Sequence, residues 1–148
     1  MMTGTFIIII CSFLWAGFIC AISFMESWLK FRAAGITMPV GLSIGKLVFT
    51  ALNKVEWAFT IIIAISLLLI SSEITSLDNM WFFIIVIILI TETAWLLPAL
   101  NKRAKSIIAG KTLPRSSLHW YFVIGELVKL LLLILFGVSF LSSMVMTR

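Results

Sequence analysis

A chain of 148 residues that is 62% hydrophobic and only 11% charged is no ordinary soluble domain, in which about a quarter of residues carry charge. Its net charge is +5, with most of the cations in short stretches between apolar runs and no ordered basic domain of the kind a nucleic-acid partner would need. The expected solvent for most of the surface is lipid.

Four apolar runs, at roughly 5–31, 47–70, 80–100 and 118–141, each approach or exceed the ~20 residues that cross hydrocarbon as a helix. A helix satisfies its own backbone there. No alternating segments suggest a β-barrel. The predicted fold class is an all-α integral membrane protein. It is a four-span transmembrane helical bundle, one domain over residues 1–148.

The first run lacks a basic start and is too long for a cleaved leader, so it reads as a retained span. Cys11 and Cys20 are nine residues apart, on opposite sides of a helix at about 100° per residue. That spacing suits neither a disulfide nor a metal pair. Ser12, Ala16, Ile19 and Ser23 share a face with Glu26, and small residues on one face let helices approach closely. Glu26 has Lys30 at i+4, a favourable helical pair. The following "RAAGITMPVGLSIG" holds Gly35, Pro39, Gly41 and Gly45 and reads as a connection. Its Gly41-x-x-x-Gly45 spacing hints at helix contact.

In the second run, Glu56 lies ten residues beyond Lys46, about 15 Å along a helix. It has no cation three or four residues away and shares a face with Asn53 and Thr60. The acidic "SSEITSLDN" that follows carries Glu73 and Asp78 and is short enough to make an antiparallel hairpin with the third run. There, Glu92 sits nine residues before Asn101, about 14 Å from that end. It too lacks a local cation, with Thr91 and Thr93 beside it and Ile88, Leu89, Trp95 and Leu96 on its face. Pro98 is expected to break the helix end and free a carbonyl. The next connection repeats a pattern of the first: A-G-x-T-[ML]-P at 34–39 and at 109–114. Two parallel helix hairpins related by duplication would produce it; two similar turns would as well. In the fourth run, Glu126 is eleven residues beyond Arg115, about 16 Å. It has Lys129 at i+3 and His119 at i−7. Trp28, Trp57, Trp95 and Trp120 fall one per run; Trp28 and Trp120 suit an interfacial belt, and Trp57 and Trp95 the wall of a cavity.

The cations Lys30, Arg32 and Lys46, with Lys102, Arg103, Lys105, Lys111 and Arg115, gather in the first and third connections. Basic connections stay in the cytoplasm. Both termini are therefore expected outside, in a cell membrane of the bacterial inner type.

Three acids from three helices thus reach one depth, near the ~15 Å half-thickness of the hydrocarbon. A carboxylate there costs at least about 2.5 kcal/mol, so Glu56, Glu92 and Glu126 are expected to face one another, a wet cavity or a cation. Lys129 and Lys54 are the nearest cations in depth. The candidate substrate- or ion-binding set is Glu56, Glu92, Glu126 and Glu26 with Asn53, Lys129 and His119. Di-iron bundles use paired Glu-x-x-His sequences, which this chain lacks. With one histidine a haem or zinc site is equally poor, so no cofactor and no resident metal are expected. Protonation is the chemistry that buried acids offer in a membrane. The expected function is a small transporter-like or ion/proton-coupled protein, working with the lipid bilayer, a small ion or lipophilic ligand and a further copy of itself as a homo-oligomer. Two other readings remain: a membrane enzyme acting on a lipid or quinone, with Glu56 or Glu92 as acid/base, and a structural or accessory subunit whose acids fix helix pairing.

Overall fold

A computed structural model describes residues 2–70, 77–114 and 116–146. The acidic connection around Glu73 and the cation Arg115 lie outside the described residues. Four helices are long and apolar enough to cross a membrane: α1 (Thr3–Arg32), α2 (Met38–Ile70), α3 (Asn79–Ile108) and α4 (Leu118–Met146). No strand occurs among the described residues. The helices form a ring in chain order. α1 packs on α2 and α4, α3 packs on α4, and the second half of α3 packs on α2.

Apolar packing is concentrated toward the end that holds the termini. Ile8, Trp15 and Ile19 of α1 meet Ile63 of α2, Ile85 and Leu89 of α3, and Leu133 and Phe136 of α4 in one buried cluster. Phe82 stacks on Phe136 and Trp15 on Phe59, with ring centroids 5.8 and 6.2 Å apart. Ser12 turns its hydroxyl back to the Ile8 carbonyl at 2.7 Å, which lets a polar residue sit in that core. Cys11 is buried and Cys20 exposed, and both are free thiols.

Two boundaries differ from the sequence expectation. α2 begins at Met38 rather than near residue 47. Glycine and proline gave this segment the composition of a loop, but each has a helical use. Pro39 sits in the first turn, where its missing N–H has no intrahelical partner to lose. The Gly41 N–H donates to the Thr37 carbonyl at 2.9 Å. Gly41 and Gly45 are buried, because Phe31 covers the first and the Lys30 side chain the second. α3 likewise runs on to Ile108, through Pro98, instead of breaking there. A π-helical turn over Glu92–Leu96 precedes the proline, and the Leu97 N–H bonds back to the Glu92 carbonyl. Such a turn widens the backbone locally and lets a helix absorb a proline's lost donor and bulk. A second π-helical stretch, Cys20–Glu26, lies in α1.

The repeated A-G-x-T-[ML]-P pattern corresponds to a shared local geometry. Gly35 and Gly110 are the two glycines with positive φ, at 81° and 80°; Gly110 closes the end of α3, whereas Gly35 sits in a separate turn beyond an extended Ala33. At the second, Lys111 N–H reaches the Ser106 carbonyl and Gly110 N–H that of Ile107, closing the carbonyls a helix end leaves open. The copies then diverge: the first enters α2 at Met38, the second runs without helix to Leu118.

Close approach of α1 and α4 depends on Gly137, where an added Cβ would lie 3.2 Å from the Phe13 ring and 3.4 Å from Ser12 Cβ. Gly17 has nothing within 4 Å. Gly137→Leu is therefore expected to destabilise the protein by about 1–3 kcal/mol through overpacking, while Gly17→Leu leaves thermal unfolding in detergent unchanged. Equal melting temperatures for the two variants would contradict this packing.

Candidate functional site

The structure brings three of the four sequence-selected glutamates around one lysine. Lys129 lies one helical turn after Glu126 on α4, so the pair shares a face. Its Nζ is 2.9 Å from Glu126 Oε1 and 2.6 Å from Glu56 Oε1 on α2. It also pairs with Glu92 Oε2 on α3. All four side chains are essentially inaccessible: Lys129 and Glu126 are 0% exposed, Glu92 1% and Glu56 2%. One oxygen from each acid lies within 4.8 Å of the others. That is a spacing a small cation could bridge, and the Lys129 ammonium is bonded into it.

α1 completes the ring with neutral donors. The Trp15 indole N–H donates to Glu56 Oε1 at 3.0 Å, and the Ser23 hydroxyl to Glu126 Oε2 at 3.1 Å. Each helix thus contributes to one polar centre. A buried carboxylate is costly unless paired and hydrogen-bonded, and Glu56 and Glu126 meet both conditions. Glu92 is different. It has the ion pair with Lys129, but its Oε1 has no hydrogen-bond partner among the described residues. That oxygen stands over Gly125 of α4, where a Cβ would lie 2.5 Å from it. A glycine at this point is what lets the carboxylate fit.

Asn53 belongs to a neighbouring node rather than to the charge cluster. Its amide nitrogen and the Trp57 indole N–H both donate to Thr93 Oγ1, at 2.9 and 3.0 Å, joining α2 to α3. Thr60, on the Glu56 face, returns its hydroxyl to the Glu56 carbonyl at 2.8 Å. Glu26 stays out of the cluster and pairs with Lys30 at 3.0 Å. Lys54 is exposed and forms no ion pair among the described residues. His119 is exposed as well. It lines a cavity of about 130 Å³ at the end opposite the termini, with Lys30, Lys46, Asn101 and the Phe49 and Phe122 rings. Those two rings meet edge to face at 5.1 Å. Since Phe122 is one turn before Glu126, the pair lies between that cavity and the charges.

Sequence reasoning missed Trp15, Ser23's role, Thr93's role and Gly125. Trp15 carried a signal: it falls on the face of Ser12, Ala16, Ile19 and Ser23, and a buried indole N–H needs an acceptor. Gly125 carried none, because a single glycine next to a helical glutamate specifies no neighbour. Trp57 donates to Thr93, as above. Trp95 is about half exposed and, with Tyr121, walls a groove that opens between α3 and α4 over Glu92.

Compared with family models, curated proteins and solved structures, the chain gives no match.

Removing the one cation leaves three buried acids facing one another. Lys129→Met is expected to cost about 3–5 kcal/mol, the range for breaking a buried ion pair from one side. Trp15→Phe, which keeps the ring and deletes the donor to Glu56, is expected to cost about 1–3 kcal/mol. Denaturant titration in detergent measures both, and a Lys129→Met protein as stable as the parent would refute the ion-paired arrangement.

Proposed function

We propose that this protein is a multi-pass membrane carrier whose Glu56–Glu92–Glu126–Lys129 cluster takes up and releases protons. The chain crosses the bilayer four times in this reading, with both termini outside and the basic connections in the cytoplasm. One observation carries it: a single ammonium faces three carboxylates. With every group ionised the cluster holds a net charge of −2, in a place where one unpaired charge is already expensive. One bound proton halves that surplus, and two protons or a divalent cation remove it. Buried acids with such a surplus mark ion pathways and proton relays in membranes.

The surroundings support the same reading. Apolar packing seals the cluster toward the termini, while toward the other end a cavity approaches it as far as the Phe49–Phe122 ring pair. Access from one side at a time is what a coupled carrier requires. Four helices give the cluster few protecting layers, so the working form is proposed to be a homo-oligomer.

A specific observation favours a second reading, an accessory subunit. Glu126 has both oxygens bonded, by Lys129 and Ser23, and Glu56 takes two donors, Lys129 and Trp15, on one oxygen; a cluster of that kind can serve only to fix the pairing of helices.

The readings separate in liposomes. A pH gradient is expected to drive proton movement through the reconstituted protein, read by an enclosed pH dye. Glu92→Gln keeps the shape and removes one titrating site, and is expected to lower the rate by at least about 100-fold, the scale on which an essential proton-transfer group acts. Far-ultraviolet circular dichroism checks that the variant is folded. Proton movement equal in the parent and the variant would reject the carrier. Orientation is tested separately: cysteines placed at Thr37 and Thr112 should react with an impermeant maleimide only after cells are opened, and labelling of intact cells would reverse the assignment.

A further inference from the structure

The groove between α3 and α4 has features that the charge cluster does not explain. It encloses about 380 Å³, within the ~300–1,000 Å³ typical of small-molecule sites. Its walls are Trp95 and Ile88 of α3 with Tyr121, Ile124 and Val128 of α4. Trp95, Tyr121 and Ile124 are each 54% exposed, so the mouth opens sideways, on the face that lipid would cover. At its floor lies Glu92, 1% exposed, with Oε1 unpartnered above Gly125. An apolar groove with one buried, unsatisfied acceptor is a defined chemical specification.

We propose that this groove binds a protonated lipophilic amine, whose N–H donates to Glu92 Oε1 while its apolar body lies against Trp95, Tyr121 and Ile124. The proposal deepens the carrier reading and rests on the same glutamate: the amine would be the second cation that offsets the surplus of carboxylates. Charge and donor count select the occupant. An acyl chain would fill the walls but leave Oε1 without a donor, which a buried carboxylate oxygen does not tolerate cheaply. An anion would meet three carboxylates. A cationic amine satisfies the oxygen, brings the cluster's net charge from −2 to −1, and can place its charge near the faces of two aromatic rings. It would arrive laterally from the bilayer, where amphiphilic amines concentrate, and not through the end cavity near His119.

The test uses the full chain in nanodiscs of phosphatidylcholine, which carries no net charge. Dibenzylamine, protonated at neutral pH, is titrated by calorimetry beside dibenzyl ether, of the same shape and uncharged, and dimethyldibenzylammonium, charged but without an N–H. The amine is expected to bind at least about tenfold more tightly than the ether, one order being about 1.4 kcal/mol, and more tightly than the quaternary ion. Glu92→Gln should erase the preference for the amine over the ether. Ile124→Trp, on the exposed wall, should weaken amine binding at least about tenfold by filling the groove, since a large ring occupies much of such a volume. Equal affinities for amine and ether would overturn the proposal and point to an apolar lipid tail as the occupant. So would amine binding that is indifferent to both substitutions, or no amine binding at all. Binding without proton movement would remove the carrier reading and leave this site standing, whereas proton movement without binding would do the reverse.

Discussion

The ammonium of Lys129 holds the centre of the molecule together. It contacts carboxylates from α2, α3 and its own α4, and α1 is tied to two of those acids through Trp15 and Ser23. For helices long and apolar enough to cross a membrane, a lipid surrounding would supply no hydrophobic force between them, and association would rely on close packing and polar contacts. This centre supplies contacts to all four helices at one level. Desolvating four ionisable groups is expensive, and the mutual attraction offsets that cost only if each group is well placed. Small residues and donors from neighbouring helices provide the placement: Gly125 clears space for Glu92, the Trp15 indole shares Glu56 Oε1 with Lys129, and the Ser23 hydroxyl takes the second oxygen of Glu126.

The backbone of α3 is shaped to the same end. Its buried residues run Ile85, Leu89, Glu92, Leu96 at helical spacing, and then resume at Leu97 and Ala104 instead of continuing through residues 100 and 103. The stripe has slipped by one residue. A π-helical turn does this, because it inserts one extra residue and so turns the following face by about 100°. Glu92 opens that turn and Pro98 follows it. Before the turn, α3 faces α4 and the core near the termini. Beyond it, α3 packs on α2. Glu92, which like Glu26 has a buried oxygen without a hydrogen-bond partner among the described residues, thus lies at the point where α3 changes partners.

The result is a molecule with unlike ends. Toward the termini the ring is filled by interlocked aliphatic and aromatic side chains. Toward the connections it opens into cavities lined by Lys30, Lys46, Arg103 and His119, with the Lys30 ammonium 5.2 Å from the Phe49 ring centre. The charged cluster lies between them, with a lateral groove between α3 and α4 over Glu92. An asymmetric arrangement of this kind gives a buried charge two distinct surroundings, one apolar and closed, the other basic and hollow.

Much of this was legible in the residues themselves. Run lengths and hydropathy predicted four long helices, and counting along those helices put Glu56, Glu92 and Glu126 at one depth. A helix advances by a nearly constant rise, so depth follows from position. Local pairs were legible for the same reason: Glu26 with Lys30, and Glu126 with Lys129, follow from i+4 and i+3 spacing. What lay beyond the sequence was everything set by rotation and by neighbours. Whether Lys54 or Lys129 would reach Glu56 depended on which way α2 turned in the ring. Whether "MPVGLSIG" was loop or helix depended on Phe31 and Lys30 lying over its glycines. Pro98 could have ended a helix, and the π-helical turn before it let the helix continue. The residues alone determined how many long helices there are and at what level their charges lie, because those properties follow from hydropathy and from the constant rise of one backbone. Only the tertiary structure decided which charges meet and which oxygens are left without a donor, because that depends on how four separate faces are turned toward one another.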